Sequence, residues 1–166
     1  SVENGSYAMA IQAGRVRYFE KFSNPVYAFK DLSDPLSMRL ENGNANESLK
    51  YYKRALELEP NQVLLNIGYA RALNSVGEYK SSVNLLKNVY VKDPNNDRLL
   101  RELATAYSQI GETGWASLLT AERYALYGKF KDAMHHAKRA LGTSLPGSIE
   151  WLKAEDLILD IKNMGK

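Results

Sequence analysis

Most of the chain alternates between stretches of helical periodicity, with apolar residues every three or four positions, and short breaks that contain Gly or Pro. The stretches VLLNIGYARALNSVG, which ends at Gly77, and YKSSVNLLKNVYVKDP, which includes Pro94, illustrate this pattern. Gly can supply the left-handed residue that ends a helix, whereas Pro ends a helix because it has no N–H. The pattern therefore predicts pairs of helices, with Gly between the two helices of a pair and Pro after the second.

The breaks recur at a fixed interval. Gly43, Gly77 and Gly111 are 34 residues apart, and so are Pro60 and Pro94. Small residues keep the same interval, at Ser48, Ser82 and Ala116. One helical hairpin per 34 residues cannot bury its apolar face alone, so we expect the hairpins to stack on one another.

Three copies of one arrangement of small and large residues follow this period. The matching residues are Ser48, Tyr52, Ala55 and Pro60 in the first copy, Tyr69, Ala70, Leu73, Ser82, Leu86 and Pro94 in the second, and Leu100, Leu103, Ala104, Tyr107 and Ala116 in the third. The arrangement resembles the tetratricopeptide repeat (TPR), whose pattern is W-x2-L-G-x2-Y…A-x3-F…P. The resemblance implies an all-α fold, a right-handed α-α superhelical solenoid of three to four helical hairpins with a C-terminal capping helix.

The period breaks after Gly111, because Gly128 stands where the next Pro is due. The 16 residues 112–127 are too few for two helices and a turn. We therefore predict one helix there, which closes one repeat and opens the next. Near the end of the chain, Ser148 is predicted to be the N-cap of a last helix. Its predicted apolar stripe consists of Trp151, Ala154, Ile158 and Ile161.

The second half of the chain carries features of a more specific kind. The shared helix ends in Tyr124-x-x-x-Gly128, an Ala-rich helix follows, and the motif GS-x-x-W-L-x-A-x-D begins at Gly147. Residues 97–160 thereby closely resemble the helical domain that follows the catalytic domain of bacterial M48-type zinc metallopeptidases. YAMAIQAGRVRYF, at 7–19, is similar to the helix that links those two domains.

That resemblance implies a periplasmic protein that takes part in outer-membrane protein quality control. It also implies that outer-membrane proteins or their assembly machinery are the partners, and that zinc belongs to a catalytic domain upstream. The chain begins with Ser and not Met, which indicates a processed protein or a piece of a longer one. We divide the chain into an N-terminal helical segment and linker (1–40), the TPR array (41–145) and a capping helix (146–166).

Composition excludes several kinds of site. There is no Cys, and hence no disulfide, thiol nucleophile or thiolate metal site, which fits the cytoplasm as well as the periplasm. The net charge of +3 is too small to indicate nucleic-acid binding. Residues 123–139 are locally basic and the last helix is acidic, and we interpret both runs as solvated faces. Five aromatic residues fall on core positions of the repeats, which favours packing over base stacking: Tyr69, Tyr79, Tyr107, Tyr124 and Phe130.

Known catalytic motifs are missing from the chain. It contains no H-E-x-x-H, G-x-S-x-G or phosphate loop. Its two His residues, His135 and His136, are adjacent, so on a helix they point about 100° apart and are poorly placed to hold one ion. We therefore predict no catalytic, cofactor-binding or metal-binding residue in this chain. Separately, no apolar run reaches the ~18 residues that would be needed to span a membrane.

The predicted function is therefore protein binding. The first helices of successive repeats should line a concave groove, with Leu64, Ile67, Arg71 and Asn74 from one repeat and Arg98, Arg101, Thr105 and Ser108 from the next. Three Arg residues on one wall favour an acidic or C-terminal carboxylate feature of a partner. Solvated arginines that bind nothing are the alternative.

Two further hypotheses concern the chain as a whole. It could be a stand-alone adaptor or assembly factor. TPR co-chaperones bind the acidic tail of a chaperone with a clamp of Lys and Asn residues. A co-chaperone of this kind is disfavoured, because Ile67 and Arg71 stand at the corresponding positions. Self-association is the other hypothesis. Residues 22–42 contain two Pro and little periodicity, so an apolar end exposed there could pair with a second copy.

Overall fold

The computed structural model describes residues 45–164, which form seven α-helices and no strand. The helices are α1 (Ala45–Leu58), α2 (Val63–Ser75), α3 (Tyr79–Lys92), α4 (Asp97–Gln109), α5 (Thr113–Leu126), α6 (Phe130–Thr143) and α7 (Ile149–Met164). The predicted all-α class is confirmed. The predicted segment 1–40, the repeat Gly at position 43 and the Pro-containing stretch 22–42 lie outside the described residues. None of the helices in 45–164 has the length and apolar character needed to cross a bilayer.

The chain divides into two compact units, with the boundary between Glu78 and Tyr79. In the described part of the first unit, α1 packs against α2. Ser48, Tyr52 and Ala55 lie three and four positions apart on α1 and are buried, as the repeat pattern predicts. α1 ends at Leu58, shortly before Pro60, in agreement with the predicted role of Pro.

In the second unit each helix from α3 to α7 packs against the next, and α7 also packs against α5. Small side chains let α5 and α6 approach closely: Ala121 of α5 and Ala137 of α6 form one buried cluster with Ile158 of α7. A second cluster consists of Leu118, Ala140 and Ala154, with Trp115 and Leu141 packed against it. The fully buried Leu residues are Leu86, Leu99, Leu100, Leu103, Leu118 and Leu119.

Gly residues end the first helix of each predicted pair in the same way. Gly111 has a φ of +85°, in the left-handed region that a Cβ disfavours. Its N–H donates to the carbonyl of Ser108 at 3.2 Å, and the N–H of Glu112 donates to the carbonyl of Tyr107 at 2.9 Å. These two bonds form a Schellman motif, which satisfies carbonyls that the helix end leaves open. Gly77 and Gly128 adopt the same conformation, with φ of +83° and +69°.

The single shared helix predicted over 112–127 is confirmed as α5. It packs against α4 before it and against α6 after it. Gly128 follows α5 where the repeat period calls for Pro. Its left-handed conformation is the one found at the ends of α2 and α4, so α5 ends as a first helix of a pair does.

The last helix begins where the sequence indicates. Ser148 precedes α7, and its Oγ accepts a hydrogen bond from the N–H of Trp151 at 3.4 Å. Of the predicted stripe, Ala154 and Ile158 are buried, and Trp151 and Ile161 are half-buried. The prediction that Phe130 lies in the core is wrong: 39% of it is exposed, because it is the first residue of α6 and the buried face of that helix begins at Ala133.

Candidate functional site

A groove of about 470 Å³ lies between α4, α5 and α6 of the second unit. We call it the arginine groove, and its lining residues are Arg101, Ala104, Thr105, Ser108, Gln109, Thr113, Ala116, Ser117, Thr120, Arg123, His136 and Arg139. The lining contains three Arg and five hydroxyl side chains, and it contains no Asp or Glu. The groove is therefore polar and positively charged.

Helical spacing explains how the groove forms. On α4, Arg101, Thr105 and Ser108 are three or four residues apart and lie on one face, opposite the buried Leu residues of that helix. On α5, Thr113, Ser117, Thr120 and Arg123 follow the same spacing. The hydroxyl of Thr120 donates to the carbonyl of Ala116 at 2.7 Å, which leaves its oxygen lone pairs able to accept a bond from a ligand.

Arg123 is held in place by an ion pair. Its Nε donates to Oδ1 of Asp97 at 2.7 Å, and each side chain is 31% exposed. Asp97 is the first residue of α4, where the helix dipole also favours a carboxylate. The hydrogen bond from Arg123 holds the pKa of the Asp97 carboxyl below its ordinary range. Part of the charge of Arg123 is therefore already neutralised inside the protein.

The other two arginines of the groove are more accessible to a ligand than Arg123 is. Arg101 is 48% exposed, and its contact with Glu102 is long, at 3.4 Å between Nη2 and Oε1. Arg139 is exposed on α6, and it forms no ion pair with any residue in 45–164. Arg101 and Arg139 therefore place one accessible guanidinium on each of the two helices that flank α5.

His136 also lines the groove. Its ring stacks on that of Tyr124, with centroids 5.3 Å apart and 13° between the planes. Burial lowers the pKa of His136, and the charges of His135 and Arg139 lower it further, so the ring is neutral near pH 7. The rings of the two histidines lie at 84° to each other. Within 45–164, no group of three or more His, Asp or Glu residues is arranged to hold a metal ion.

Three of the eight predicted groove residues line the arginine groove: Arg101, Thr105 and Ser108. Arg98 is exposed on α4 but is not part of the lining. In the first unit, Leu64 is exposed and Arg71 is half-buried. That these residues bind a partner stays a prediction.

The prediction that Ile67 and Asn74 are exposed is wrong, since they are 6% and 8% exposed. α2 carries buried residues around most of its circumference, including Leu65 and Ala72 on other sides of the helix. The repeat position of Ile67 and Asn74 therefore does not make them accessible.

Sequence reasoning missed the part of the groove that α5 and α6 supply. Thr113, Ser117, Thr120, Arg123, His136 and Arg139 come from α5 and α6, whereas the predicted groove residues were all on α2 and α4. The signal was present in the shared helix: because α5 also opens the next repeat, its hydroxyl face continues the wall begun by α4. The basic run 123–139, interpreted as solvated, supplies two of the three arginines.

Comparisons with known proteins agree with this fold. No protein-family model matches the chain. A stretch of 60 residues is 38% identical to tetratricopeptide repeat protein 8 of Caenorhabditis elegans, and the match spans 36% of this chain and 12% of that protein. The structure of a "MamA RS-1 ArsTM double mutant" is 13% identical, with a TM-score of 0.65 over 99% of this chain and 95% of that one. MamA 41-end from Desulfovibrio magneticus RS-1 is 14% identical, with a TM-score of 0.57 over 99% and 93%.

At these identities the two solved structures show the fold alone. Together with the local match to a TPR protein, they establish a TPR-like helical repeat protein with a solenoid-like fold. The resemblance of residues 97–160 to M48 peptidases stays a prediction.

Proposed function

We propose that this chain is a non-catalytic protein-interaction domain whose arginine groove binds an acidic segment of a partner protein. One observation carries the proposal: three arginines line the groove and no carboxylate does. A groove of one charge sign raises the local concentration of a ligand of the opposite sign. It also offers the planar guanidinium groups that bind carboxylates with two parallel hydrogen bonds.

The arrangement suggests how the ligand lies. Arg101 of α4 and Arg139 of α6 are accessible, while Arg123 of α5 is already paired. A bound segment would cross α5, with acidic side chains directed to the two outer helices. The hydroxyls of Thr113 and Ser117 on α5 would then face its backbone, which both donates and accepts hydrogen bonds.

A fluorescently labelled Glu-rich peptide and a matched Gln-rich peptide test the proposal by fluorescence anisotropy with the full 166-residue chain. We expect only the Glu-rich peptide to bind, and the double variant R101Q/R139Q to bind it about tenfold more weakly or worse. The double variant R98Q/K138Q is the control, because both residues are exposed on the same two helices but outside the lining. Equal losses in the two double variants would mean that the arginines act only as solvated charges.

We further propose that the domain is the C-terminal recognition domain of an M48-like zinc metallopeptidase that acts on outer-membrane proteins in the periplasm. The resemblance of residues 97–160 supports this, and α5 provides the skipped half-repeat on which that resemblance rests. The zinc would be held by the H-E-x-x-H motif of a catalytic domain upstream, and this chain would present substrates to that domain.

An antibody raised against the chain tests the parent protein. Blots of periplasmic and cytosolic fractions should show a periplasmic band much heavier than 18.7 kDa, and peptide sequencing of that band should find H-E-x-x-H. A band at 18.7 kDa would instead favour the alternative, a stand-alone adaptor or assembly factor. Neither result changes the expected behaviour of the arginine groove toward acidic peptides.

A further inference from the structure

A second groove, of about 430 Å³, lies between the C-terminal half of α5 and α7. We call it the α5–α7 groove, and its lining residues are Pro94, Asn95, Glu122, Ala125, Leu126, Phe130, Lys153, Asp156, Leu157, Asp160, Ile161 and Met164. It shares no residue with the arginine groove. The two surfaces can therefore be changed independently of each other.

The floor of the α5–α7 groove is apolar although it faces solvent. Leu126 is 42% exposed, Phe130 39% and Met164 69%. Leu157 and Ile161 of α7 are half-buried beside them, four residues apart on one face of the helix. Exposed apolar side chains that are scattered singly need no explanation, but apolar side chains gathered in a groove mark a binding surface.

The shape of the groove fits a helix. Lys153, Leu157, Ile161 and Met164 follow one another at intervals of three or four residues, so the groove runs along α7. α5 forms the opposite wall with Ala125 and Leu126. A trough between two packed helices receives the side chains of a third helix laid along it, which is the usual way that ridges enter grooves.

One edge of the groove is acidic. Asp156 and Asp160 lie one turn apart on α7, and neither forms an ion pair within residues 45–164. The hydroxyl of Tyr90 donates one hydrogen bond that is shared between the two carboxylate oxygens of Glu122, at 2.7 and 2.9 Å. Lys153, the one basic residue of the lining, lies over the ring of Tyr90, with its Nζ 5.1 Å from the centroid. Lys153 and Glu122 also attract each other, so their charges offset, and the two Asp residues leave the groove with a net negative charge.

We propose that the α5–α7 groove binds an amphipathic helix of a partner protein. The apolar face of that helix packs on Leu126, Phe130 and Ile161, and Lys or Arg residues beside this face pair with Asp156 and Asp160. Helix-in-groove recognition of this kind takes its affinity from apolar side chains at helical spacing and its orientation from the flanking charges. A second copy of this chain fits less well, because a symmetric pairing would bring the acidic edges of both copies into one interface.

Two synthetic helical peptides test the proposal with the full 166-residue chain. Both carry Leu along one face. In one peptide this face is flanked by Lys, and in the other each Lys is replaced by Glu. We expect fluorescence anisotropy to show binding of the Lys peptide and at least about tenfold weaker binding of the Glu peptide. Equal affinities, or no binding of either peptide, would overturn the proposal.

Variants locate the binding site. F130A and the double variant D156K/D160K should each weaken binding of the Lys peptide by about tenfold or more, because the first removes an apolar anchor and the second reverses the acidic edge. L159A and E155K are the matched controls, since both residues are exposed on α7 outside the groove lining. Circular dichroism shows whether each variant remains helical.

Sedimentation equilibrium tests the remaining alternative, that the groove binds a second copy of this chain. If the chain forms a dimer that F130A dissociates, the groove holds a second copy and the proposal of a partner helix is wrong. The Glu-rich peptide that tests the arginine groove should bind F130A and the wild type equally, because Phe130 is not part of that groove. Failure of one site therefore leaves the test of the other intact.

Discussion

The ring of Tyr52 in α1 lies so close to Gly68 in α2 that a Cβ added to Gly68 would be 2.5 Å from Cε1 of Tyr52. Tyr52 is 4% exposed and has little room to move away. We therefore expect G68A to lower the free energy of unfolding by about 1–3 kcal/mol, the usual cost of overfilling a packed core. Urea unfolding followed by circular dichroism measures this change.

The control for this prediction is G142A. Gly142 is also within a helix, α6, but nothing lies within 4 Å of the Cβ position. Replacing Gly142 by Ala should leave the free energy of unfolding unchanged or raise it by at most about 1 kcal/mol, because Ala loses less backbone entropy than Gly on folding. Equal losses in G68A and G142A would show that close packing against Tyr52 is not the cause.

Replacing Asp97 by Asn should lower the stability of the protein slightly but strengthen peptide binding in the arginine groove. D97N removes the ion pair with Arg123, in which both side chains are partly exposed, so we expect it to cost less than about 1 kcal/mol. It also frees the guanidinium of Arg123 in the arginine groove, so affinity for the Glu-rich peptide should rise. Unfolding and anisotropy measurements on the same variant check both effects.

The pH dependence of D97N follows from the lowered pKa of Asp97. A carboxyl with a lowered folded-state pKa stabilises the protein above its ordinary range and loses that contribution as pH falls through the lowered value. The difference between wild type and D97N should therefore be present at pH 7 and shrink in acid. A difference that stays constant down to about pH 2 would contradict the assignment.

The contribution of Glu122 to stability should depend on pH in the opposite direction to that of Asp97. Burial raises the pKa of Glu122 above its ordinary value of 4.5, although the Tyr90 hydrogen bond and Lys153 oppose that shift. A carboxyl with a raised folded-state pKa favours folding when protonated, and this contribution is lost as pH rises through the raised value. The stability of E122Q relative to wild type should therefore be greater at pH 7 than at pH 4. Urea unfolding of both proteins at the two pH values measures this difference.

His136 should make binding in the arginine groove depend on pH. The ring faces Tyr124 of α5, and Arg101 and Arg123 share its groove, so protonation adds a positive charge to an already basic surface. Since burial lowers its pKa, this charge appears at a lower pH than for an ordinary His side chain. Binding of the Glu-rich peptide should strengthen between about pH 7.5 and about pH 5.5, above the range in which Glu itself is protonated.

H136N should abolish this strengthening, which anisotropy titrations at the two pH values will reveal. H135N is the matched control, because His135 is exposed on the same helix and does not line the groove. If both variants retain the wild-type dependence, another group controls the affinity.

The fold could be predicted from the sequence because it depends on local signals. Gly at a left-handed position and Pro after a helix act within a few residues, so Gly77, Gly111 and Pro94 predicted their helix ends. The groove could be predicted only in part, because its other wall depends on which face α5 and α6 present after packing. The exposure of Phe130 depends on packing in the same way, since helical periodicity identifies a face but not how far the neighbouring helix covers it.

α5 belongs to two repeats at once, and this limits how the chain can be rearranged. A repeat array is usually modular. One repeat can be duplicated, deleted or exchanged for a homologous one, because the repeats on either side of the change can still pack against their new neighbours. Here no 34-residue unit can be cut out across α5, because the same helix packs against α4, α6 and α7. The segment from Asp97 to Met164 should therefore be inherited as a single block, and changes in repeat number should fall outside it.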